Sequence, residues 1–150
     1  MRELDKKDWG PRKNAQKHDL LLCKYCEKYG GITFSNVRVD NDPYPTPREI
    51  DGVRFPSPQR KLITWSGGRE KFDELLAQAR RDRLPVQVIE VGPEAMNDRG
   101  TAGQVIVGSW LLEQYKVKTK KVLIYKSAIP RLKEFFKQHD VMVWTPKGND

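Results

Sequence analysis

The segments REIDGVRF, at residues 48–55, and PVQVIEVG, at residues 85–92, are the most informative part of this 150-residue sequence. β-Branched residues dominate both segments and glycine or proline bounds them, which predicts two β-strands. Each strand sets one acid among hydrophobic neighbours, Asp51 in the first and Glu90 in the second. A charge in such surroundings costs free energy unless something compensates it. Two such acids that meet at the end of a sheet would hold a divalent cation.

The segments on either side predict the other elements of the fold. Apolar residues at helical spacing indicate helices at residues 19–29, 69–83, 101–115 and 127–139, the last capped by Ser127. Further strands are predicted at residues 32–39, 61–65, 122–125 and 141–144.

Helices alternate with strands in the second half, which predicts parallel neighbours, whereas the first half resembles an antiparallel meander. We therefore expect one α/β domain at residues 18–146, with a mixed sheet flanked by helices. A polar arm at residues 1–17 precedes it, a proline-rich loop at residues 40–47 interrupts it, and a tail at residues 147–150 follows it.

The charge distribution favours a polyanionic partner. The formal net charge is +8, and between Lys116 and Lys147 nine Lys or Arg stand against two acids. Such an excess predicts a surface that binds nucleic acid, either DNA or RNA. A small basic protein that docks onto a larger nucleoprotein assembly fits the same charge. The residues expected to contact nucleic acid are Lys116, Lys118, Lys120, Lys121 and Lys126.

Several classes of protein are disfavoured. The sequence has no run near the ~18 apolar residues that a membrane span needs, and its polar N-terminus does not resemble a secretory signal. Two cysteines separated by two residues do not form a disulfide framework. The expected compartment is therefore the reducing cytoplasm.

Cys23 and Cys26, with His18 upstream, have the spacing of half a zinc site. A fourth ligand would have to be His139, which requires the last helix to return to the first. We therefore favour small core residues on one helix over zinc at Cys23/Cys26, and over a redox pair.

Taken together, the two acids and the helices after them resemble the PD-(D/E)xK nuclease superfamily. REIDGV is similar to the strand with that family's first metal-binding acid, here Asp51, and VQVIEVG to the next strand, here with Glu90. TAGQVIVGSWLLEQYKVKTKKVLIYK is similar to the following helix and strand, where Gln104 would be the helix glutamine. The resemblance covers about residues 48–145. It implies a restriction-endonuclease-like fold and Mg²⁺- or Mn²⁺-dependent phosphodiester hydrolysis, with Asp51, Glu90 and Gln104 as catalytic residues.

The sequence departs from that family in two places. Gly92 stands where the family has lysine, so another lysine would be needed, with Lys61, Lys116 and Lys126 as candidates. About thirty residues, including a helix, separate the two acidic strands, where the family usually has a tight hairpin. In an alternative register the Asp51 strand pairs with residues 61–65. That second strand carries no acid, so no metal site forms. The domain would then bind nucleic acid without cleaving it.

Three further interpretations stay open. Asp51-Gly52 is also a common hairpin-turn signal. The loop at residues 97–102 loosely resembles the phosphate-binding turn of N-acetyltransferases, since backbone N–H groups at a helix start hold phosphate. Trp65, Trp110 and Trp144 are expected to anchor the core, although exposed tryptophans would stack on bases.

Overall fold

A computed structural model describes residues 17–39, 48–93, 96 and 100–147 of the chain. The helices are α1 (Lys17–Tyr29), α2 (Arg69–Asp82), α3 (Gly100–Glu113) and α4 (Pro130–Gln138). The strands are β1 (Gly31–Val39), β2 (Arg48–Phe55), β3 (Arg60–Thr64), β4 (Val86–Val91), β5 (Thr119–Ile124) and β6 (Val141–Trp144). None of the described helices is long and apolar enough to span a lipid bilayer.

The strands form one mixed six-stranded sheet in the order β3-β1-β2-β4-β5-β6. β2 is antiparallel to both of its neighbours, β1 and β4, whereas the β1–β3, β4–β5 and β5–β6 pairs are parallel. The prediction of a single α/β domain with a mixed sheet is therefore confirmed. So is the expectation of parallel neighbours in the second half.

The first half is not the predicted meander. β3 lies on the outer side of β1 and runs parallel to it, with Ile32 opposite Lys61 and Phe34 opposite Ile63. The alternative register, in which the Asp51 strand pairs with residues 61–65, is therefore wrong. A short 3₁₀ turn at Trp65–Gly67 and α2 then return the chain to the middle of the sheet, where β4 pairs with β2.

Helices cover both faces of the sheet. Alternate residues of a strand point to opposite faces, and on β5 Leu123 belongs to one buried cluster while Val122 and Ile124 belong to the other. The first cluster packs under α2, α3 and α4 and includes an edge-to-face trio of Phe34, Phe55 and Phe72. The second packs under α1. The domain is thus a three-layer arrangement with the sheet in the middle.

The end of α1 is fixed by an arginine from the sheet. The Arg54 side chain donates from Nε to the carbonyl of Gly30 at 2.7 Å and from Nη2 to that of Tyr29 at 3.0 Å. These bonds satisfy carbonyls that the last helical turn leaves without intrahelical partners. Gly30 and Gly31 both have positive φ, and a Cβ at Gly31 would lie 2.8 Å from the Phe55 carbonyl oxygen. The Gly-Gly pair therefore ends the helix and lets β1 begin directly beside β2.

Two predicted boundaries differ from the structure by three residues. Ser127 is not the cap of the last helix, because α4 begins at Pro130 with Ile129 at the N-cap position. Proline suits the first turn of a helix, since its missing N–H has no partner there. β5 begins at Thr119, three residues before the predicted strand. Lys120 and Lys121 belong to the strand and do not interrupt it. Of the predicted arm at residues 1–17, only Lys17 is described, and it is the first residue of α1. The predicted loop at residues 40–47 lies outside the described residues.

Candidate metal and nucleic-acid site

The two predicted acids lie on neighbouring strands. β2 and β4 pair antiparallel, with Val53 opposite Val88 and Gly52 opposite Ile89, and the pairing ends there. Asp51 and Glu90 are the next residues of the two strands. They reach the same end of the sheet although β3 and α2 separate them in sequence. We call this end, formed by the start of β2 and the last residues of β4 and β5, the acid edge.

The Asp51 carboxylate takes part in the sheet itself. The amide of Gly92 donates to the Ile124 carbonyl of β5 at 2.9 Å, so the preceding amide, that of Val91, points toward β2. The β2–β4 pairing ends at Gly52 and Ile89, and beyond it the Val91 N–H donates to Asp51 Oδ2 at 2.8 Å. The side chain thus takes the place of a backbone acceptor where the two strands part.

Asp51 is therefore not a turn residue, and the hairpin interpretation of Asp51-Gly52 is wrong. Both residues lie within β2. Gly52 is needed for another reason: a Cβ there would lie 3.0 Å from Leu22 Cδ1 and 3.4 Å from Ile89 Cβ. The glycine lets α1 pack closely on the sheet beside the acid.

Glu90 is the deeply buried member of the pair. Its residue is 4% exposed, whereas Asp51 is half-buried. On β4, Glu90 shares a face with Val88, and the Val88 side chain lies against Gly108 of α3. Glu90 therefore belongs to the face covered by α2, α3 and α4, and it has an interaction partner within the fold.

An aromatic ring fills the space in which a side chain at Gly92 would lie, and this is the position where the resemblance expects lysine. A Cβ on Gly92 would lie 2.2 Å from Cε1 and 2.7 Å from Cδ1 of Tyr125, which is itself 0% exposed. No side chain fits there without moving the ring. Sequence reasoning missed Tyr125, and the only signal was its place at the end of the apolar run of β5, level with the glycine in the parallel pair.

The structure separates the three lysines proposed as substitutes. Lys61 pairs with Ile32, which lies opposite Phe55 at the other end of β2 from Asp51. Lys116 lies between α3 and the start of β5, also away from the acids. Lys126 is exposed and follows Tyr125 at the acid edge. It is separated from β2 by about two strand spacings, roughly 10 Å.

Four of the five predicted nucleic-acid-binding lysines lie at the opposite end of the sheet, which we call the basic edge. In the β4–β5 pair, Lys120 lies opposite Gln87 and Lys121 opposite Val88, while Ile124 lies opposite Val91. Four residues of strand, about 13 Å, therefore separate Lys120 from the acid edge. Lys116 and Lys118 precede β5 on the same side.

A groove of about 960 Å³ opens at the basic edge, between β5, β6 and α4. Its charged lining combines four basic side chains with two acidic ones: Lys120, Lys121, Lys133, Lys137, Glu134 and Asp140. The surplus of positive charge suits a phosphate backbone.

Gln104 is exposed on the second turn of α3. The helix starts at the acid edge, so Gln104 is on the correct side of the sheet. The described contacts do not join it to Asp51 by a hydrogen bond.

The donor set at the acid edge fits Mg²⁺ better than a metal that needs a full protein cage. Within the described ranges, no group of three or more His, Cys, Asp and Glu lies close enough to enclose an ion. Mg²⁺ is commonly held by one or two carboxylates, with water and substrate phosphate completing its octahedron. A carboxylate has two oxygens and about four acceptor sites, so the bond from Val91 does not prevent Asp51 from binding a cation.

Cys23 and Cys26 lie on α1, as predicted, and the structure favours their interpretation as core residues. Cys26 is 0% exposed. Burial raises the pKa of the Cys26 thiol to about 12 and that of Cys23 to about 11, so both hold their protons. Zinc binds the thiolate. His139 ends α4 on the other face of the sheet and stacks on Phe135 at 4.6 Å, so it does not approach the cysteines.

The tryptophans divide into two groups. Trp144 is 7% exposed and packs edge-on to Tyr25, and Trp65 is half-buried under the Arg69 guanidinium. Trp110 is 52% exposed, so its prediction as a core anchor is wrong. Residues 97–99 of the loop compared with acetyltransferases lie outside the described residues, while Gly100, Thr101 and Ala102 open α3.

No family model, no curated protein and no solved structure matches the chain.

Proposed function

We propose that the chain acts on nucleic acid as a divalent-metal-dependent phosphodiesterase, with its centre at the acid edge and a restriction-endonuclease-like arrangement around it. The observation that carries the proposal is the position of Asp51 and Glu90, which are the next residues of β2 and β4 after the Gly52–Ile89 pair. The Val91 N–H bonds the Asp51 carboxylate across forty positions of sequence, immediately after Glu90. Two carboxylates at facing strand positions can share one divalent cation, with water and substrate phosphate as its other ligands.

Asp51 and Glu90 would hold Mg²⁺ (or Mn²⁺) through their carboxylate oxygens. When bound, the ion polarises a phosphate oxygen and lowers the pKa of a coordinated water. The chain supplies the rest. The Val91 amide and the burial of Glu90 orient the carboxylates, and Lys126 provides positive charge for a phosphate at the same edge. The basic edge would hold a neighbouring part of the strand, since 13 Å spans about four nucleotides at 3.4 Å each.

A second candidate is a domain that binds nucleic acid without cleaving it. The observation in its favour is the closure of the lysine position by Tyr125. Without a general acid or a charge-stabilising group at that position, a bound phosphodiester would lose one source of transition-state stabilisation. The basic surface would still bind the strand.

Cleavage assays with matched variants distinguish the two candidates. Duplex and single-stranded DNA and RNA are incubated with Mg²⁺ or Mn²⁺ and the wild type, Asp51→Asn or Glu90→Gln. Asp51→Asn keeps an oxygen that accepts from Val91, so the fold is preserved while the charge is lost. Glu49→Gln is the control, because Glu49 lies on the same strand and is exposed beside Arg38. We expect metal-dependent cleavage in the wild type and the control, reduced at least about 100-fold in the other two.

Lys126→Ala and Lys61→Ala form a second matched pair, one at each edge. Loss of cleavage in the first alone would place the substitute lysine at the acid edge. Binding of Mn²⁺ by the free protein, followed by its electron paramagnetic resonance signal, tests the site without activity and should be lost in Asp51→Asn. Tight nucleic-acid binding with no cleavage in any protein would support the second candidate. Cleavage unchanged in both acid variants would refute the metal site.

A further inference from the structure

The outward face of α3 is apolar, and the described part of the chain leaves it exposed. Ile106 is 53% exposed, Trp110 52% and Val107 37%, and Gly103 is also exposed. At 100° per residue these four positions fall within one stripe about 100° wide, opposite the buried stripe that contains Val105 and Leu112. A helix that buries only one side has no internal need for a second apolar side. This face is therefore suited to a partner.

The charge of α3 indicates what kind of partner fits. Its sequence, GTAGQVIVGSWLLE, has no Lys or Arg and a single acid, Glu113, although 32% of the whole chain is charged. Tryptophans that stack on bases work together with cations that hold the phosphates. α3 offers none of its own, which disfavours nucleic acid on this face. A neutral helix instead allows two copies of a +8 chain to approach each other without repulsion there.

The shape of the stripe is complementary to itself. Gly103 leaves open space, since no atom of the described residues lies within 4 Å of a Cβ built there. Trp110, the largest side chain of the stripe, lies seven residues further on, about 10.5 Å along the helix axis. In an antiparallel pair of α3 helices whose two-fold axis passes between Ile106 and Val107, each Trp110 lies over the partner's Gly103. Such a contact is isologous, because the same surface serves both copies.

We propose that this chain forms a two-fold dimer through α3, with Trp110 of each copy seated on Gly103 of the other. The inference stands independently of the phosphodiesterase proposal, because it uses none of the residues at the acid edge.

The available area predicts a weak dimer. A tryptophan buries up to about 250 Å², so the exposed half of Trp110 contributes on the order of 125 Å² per copy. Ile106 and Val107 contribute comparable amounts together. A stable interface needs about 800 Å² per partner. The stripe continues across a cavity of about 370 Å³ to Phe135 on α4, which is 51% exposed. Even with this extension the area stays below that of a stable interface, so we expect a dissociation constant of about 100 μM.

Sedimentation velocity over about 1 μM to 1 mM protein tests the dimer. We expect the mass to rise with concentration from 17.4 kDa toward twice that value. Gly103→Trp fills the space beside Gly103, and Trp110→Gly removes the side chain that would occupy that space in the partner. Each single variant should therefore stay monomeric at a protein concentration ten times that at which the wild type dimerises. The double variant exchanges the two roles and should dimerise again. Ile129→Ala is the control, since Ile129 is 45% exposed but lies before α4, outside the stripe.

Three outcomes would overturn the proposal. The first is a wild type that stays monomeric up to 1 mM, which would leave the face to another protein or to residues 1–16. The second is a double variant no more associated than its parents, which would show that Trp110 and Gly103 do not meet. The third is a Trp110→Gly variant that dimerises as the wild type does, which would place the contact elsewhere on the chain. Far-ultraviolet circular dichroism verifies that each variant is folded.

Discussion

The contact between Gly92 and Tyr125 leads to a quantitative prediction for Gly92→Ala. The new methyl carbon would lie 2.2 Å from Cε1, 2.7 Å from Cδ1 and 2.8 Å from Cζ of the ring. An ordinary contact is at least 3.4 Å, so the overlap with the nearest atom exceeds 1 Å. Because Tyr125 is 0% exposed, the ring has no free space into which it could move.

Overpacking of a tight core costs about 1–3 kcal/mol, and three simultaneous overlaps place this case near the upper limit. We expect Gly92→Ala to lower the free energy of unfolding by about 3 kcal/mol. For a chain of this length, that corresponds to a fall in Tm of about 6–12 °C. Urea unfolding followed by circular dichroism measures the first quantity and a thermal melt the second. Gly67→Ala is the matched control, since nothing lies within 4 Å of its Cβ, and it should change stability by less than about 0.5 kcal/mol.

A double-mutant cycle isolates the contact. Tyr125→Leu removes the ring edge that the methyl group meets, so the cost of Gly92→Ala should fall by at least about 1 kcal/mol in that background. Equal stability losses for Gly92→Ala and Gly67→Ala, or strictly additive effects in the cycle, would refute the reasoning. The lysine position of the resembled family would then be open in this chain, and Gly92→Lys would test whether a lysine there increases cleavage.

Three other contacts give smaller expected effects. Arg54→Ala removes both bonds to the end of α1 and should cost about 1–2 kcal/mol in urea unfolding, whereas loss of the exposed Arg38 pair should cost under about 0.5 kcal/mol; equal losses would contradict the capping role. Tyr25→Phe removes the 2.8 Å hydrogen bond from the Tyr25 hydroxyl to Gln87 of β4, and it should lower the free energy of unfolding in urea by about 1 kcal/mol. An unchanged midpoint of urea unfolding would show that this bond does not stabilise the fold. Burial raises the pKa values of Cys23 and Cys26 to about 11 and 12, so at pH 8 a disulfide reagent should label the folded protein far more slowly than the urea-unfolded one. Since the fold retains these protons, stability should decline as pH rises above about 9 toward 12, and rapid labelling of the folded state would show that the thiols are not buried.

Local pattern was sufficient to predict most elements of the fold. The strand at 48–55 and the helix that starts at Arg69 lie where β-branched content and helical spacing place them. The boundaries that failed depend on details that a pattern does not carry. At the start of α4, Pro130 rather than Ser127 sets the first turn, because a residue with a fixed φ and no N–H suits that position without any side-chain cap.

The pairing of strands was harder to predict than their positions. Nothing local to residues 60–64 indicates that β3 runs parallel to β1. The alternating residues of β1 do not distinguish its two edges, which pair with β2 and with β3. The candidate site shows the same limit. Asp51 and Glu90 were recognised as acids in apolar strands, but the bond from Val91 to Asp51 and the ring of Tyr125 over Gly92 join residues far apart in sequence. Trp110 was misjudged because composition alone does not tell a buried aromatic residue from one that faces outward.

The chain between β2 and β4 has a consequence for the entropy of loop closure. Arg54 and Gln87 are neighbours in the sheet. Residues 56–85 therefore form a loop whose two ends lie next to each other. Closing a loop costs about 0.6 kcal/mol more for each doubling of its length, so about thirty residues in place of a four-residue hairpin cost roughly 2 kcal/mol more. Burying one large apolar side chain gains about 1.5–3 kcal/mol, and this excursion buries both Phe72 and Leu76. The inserted strand and helix therefore offset their own closure cost, and two acids far apart in sequence stay together without a short turn between them.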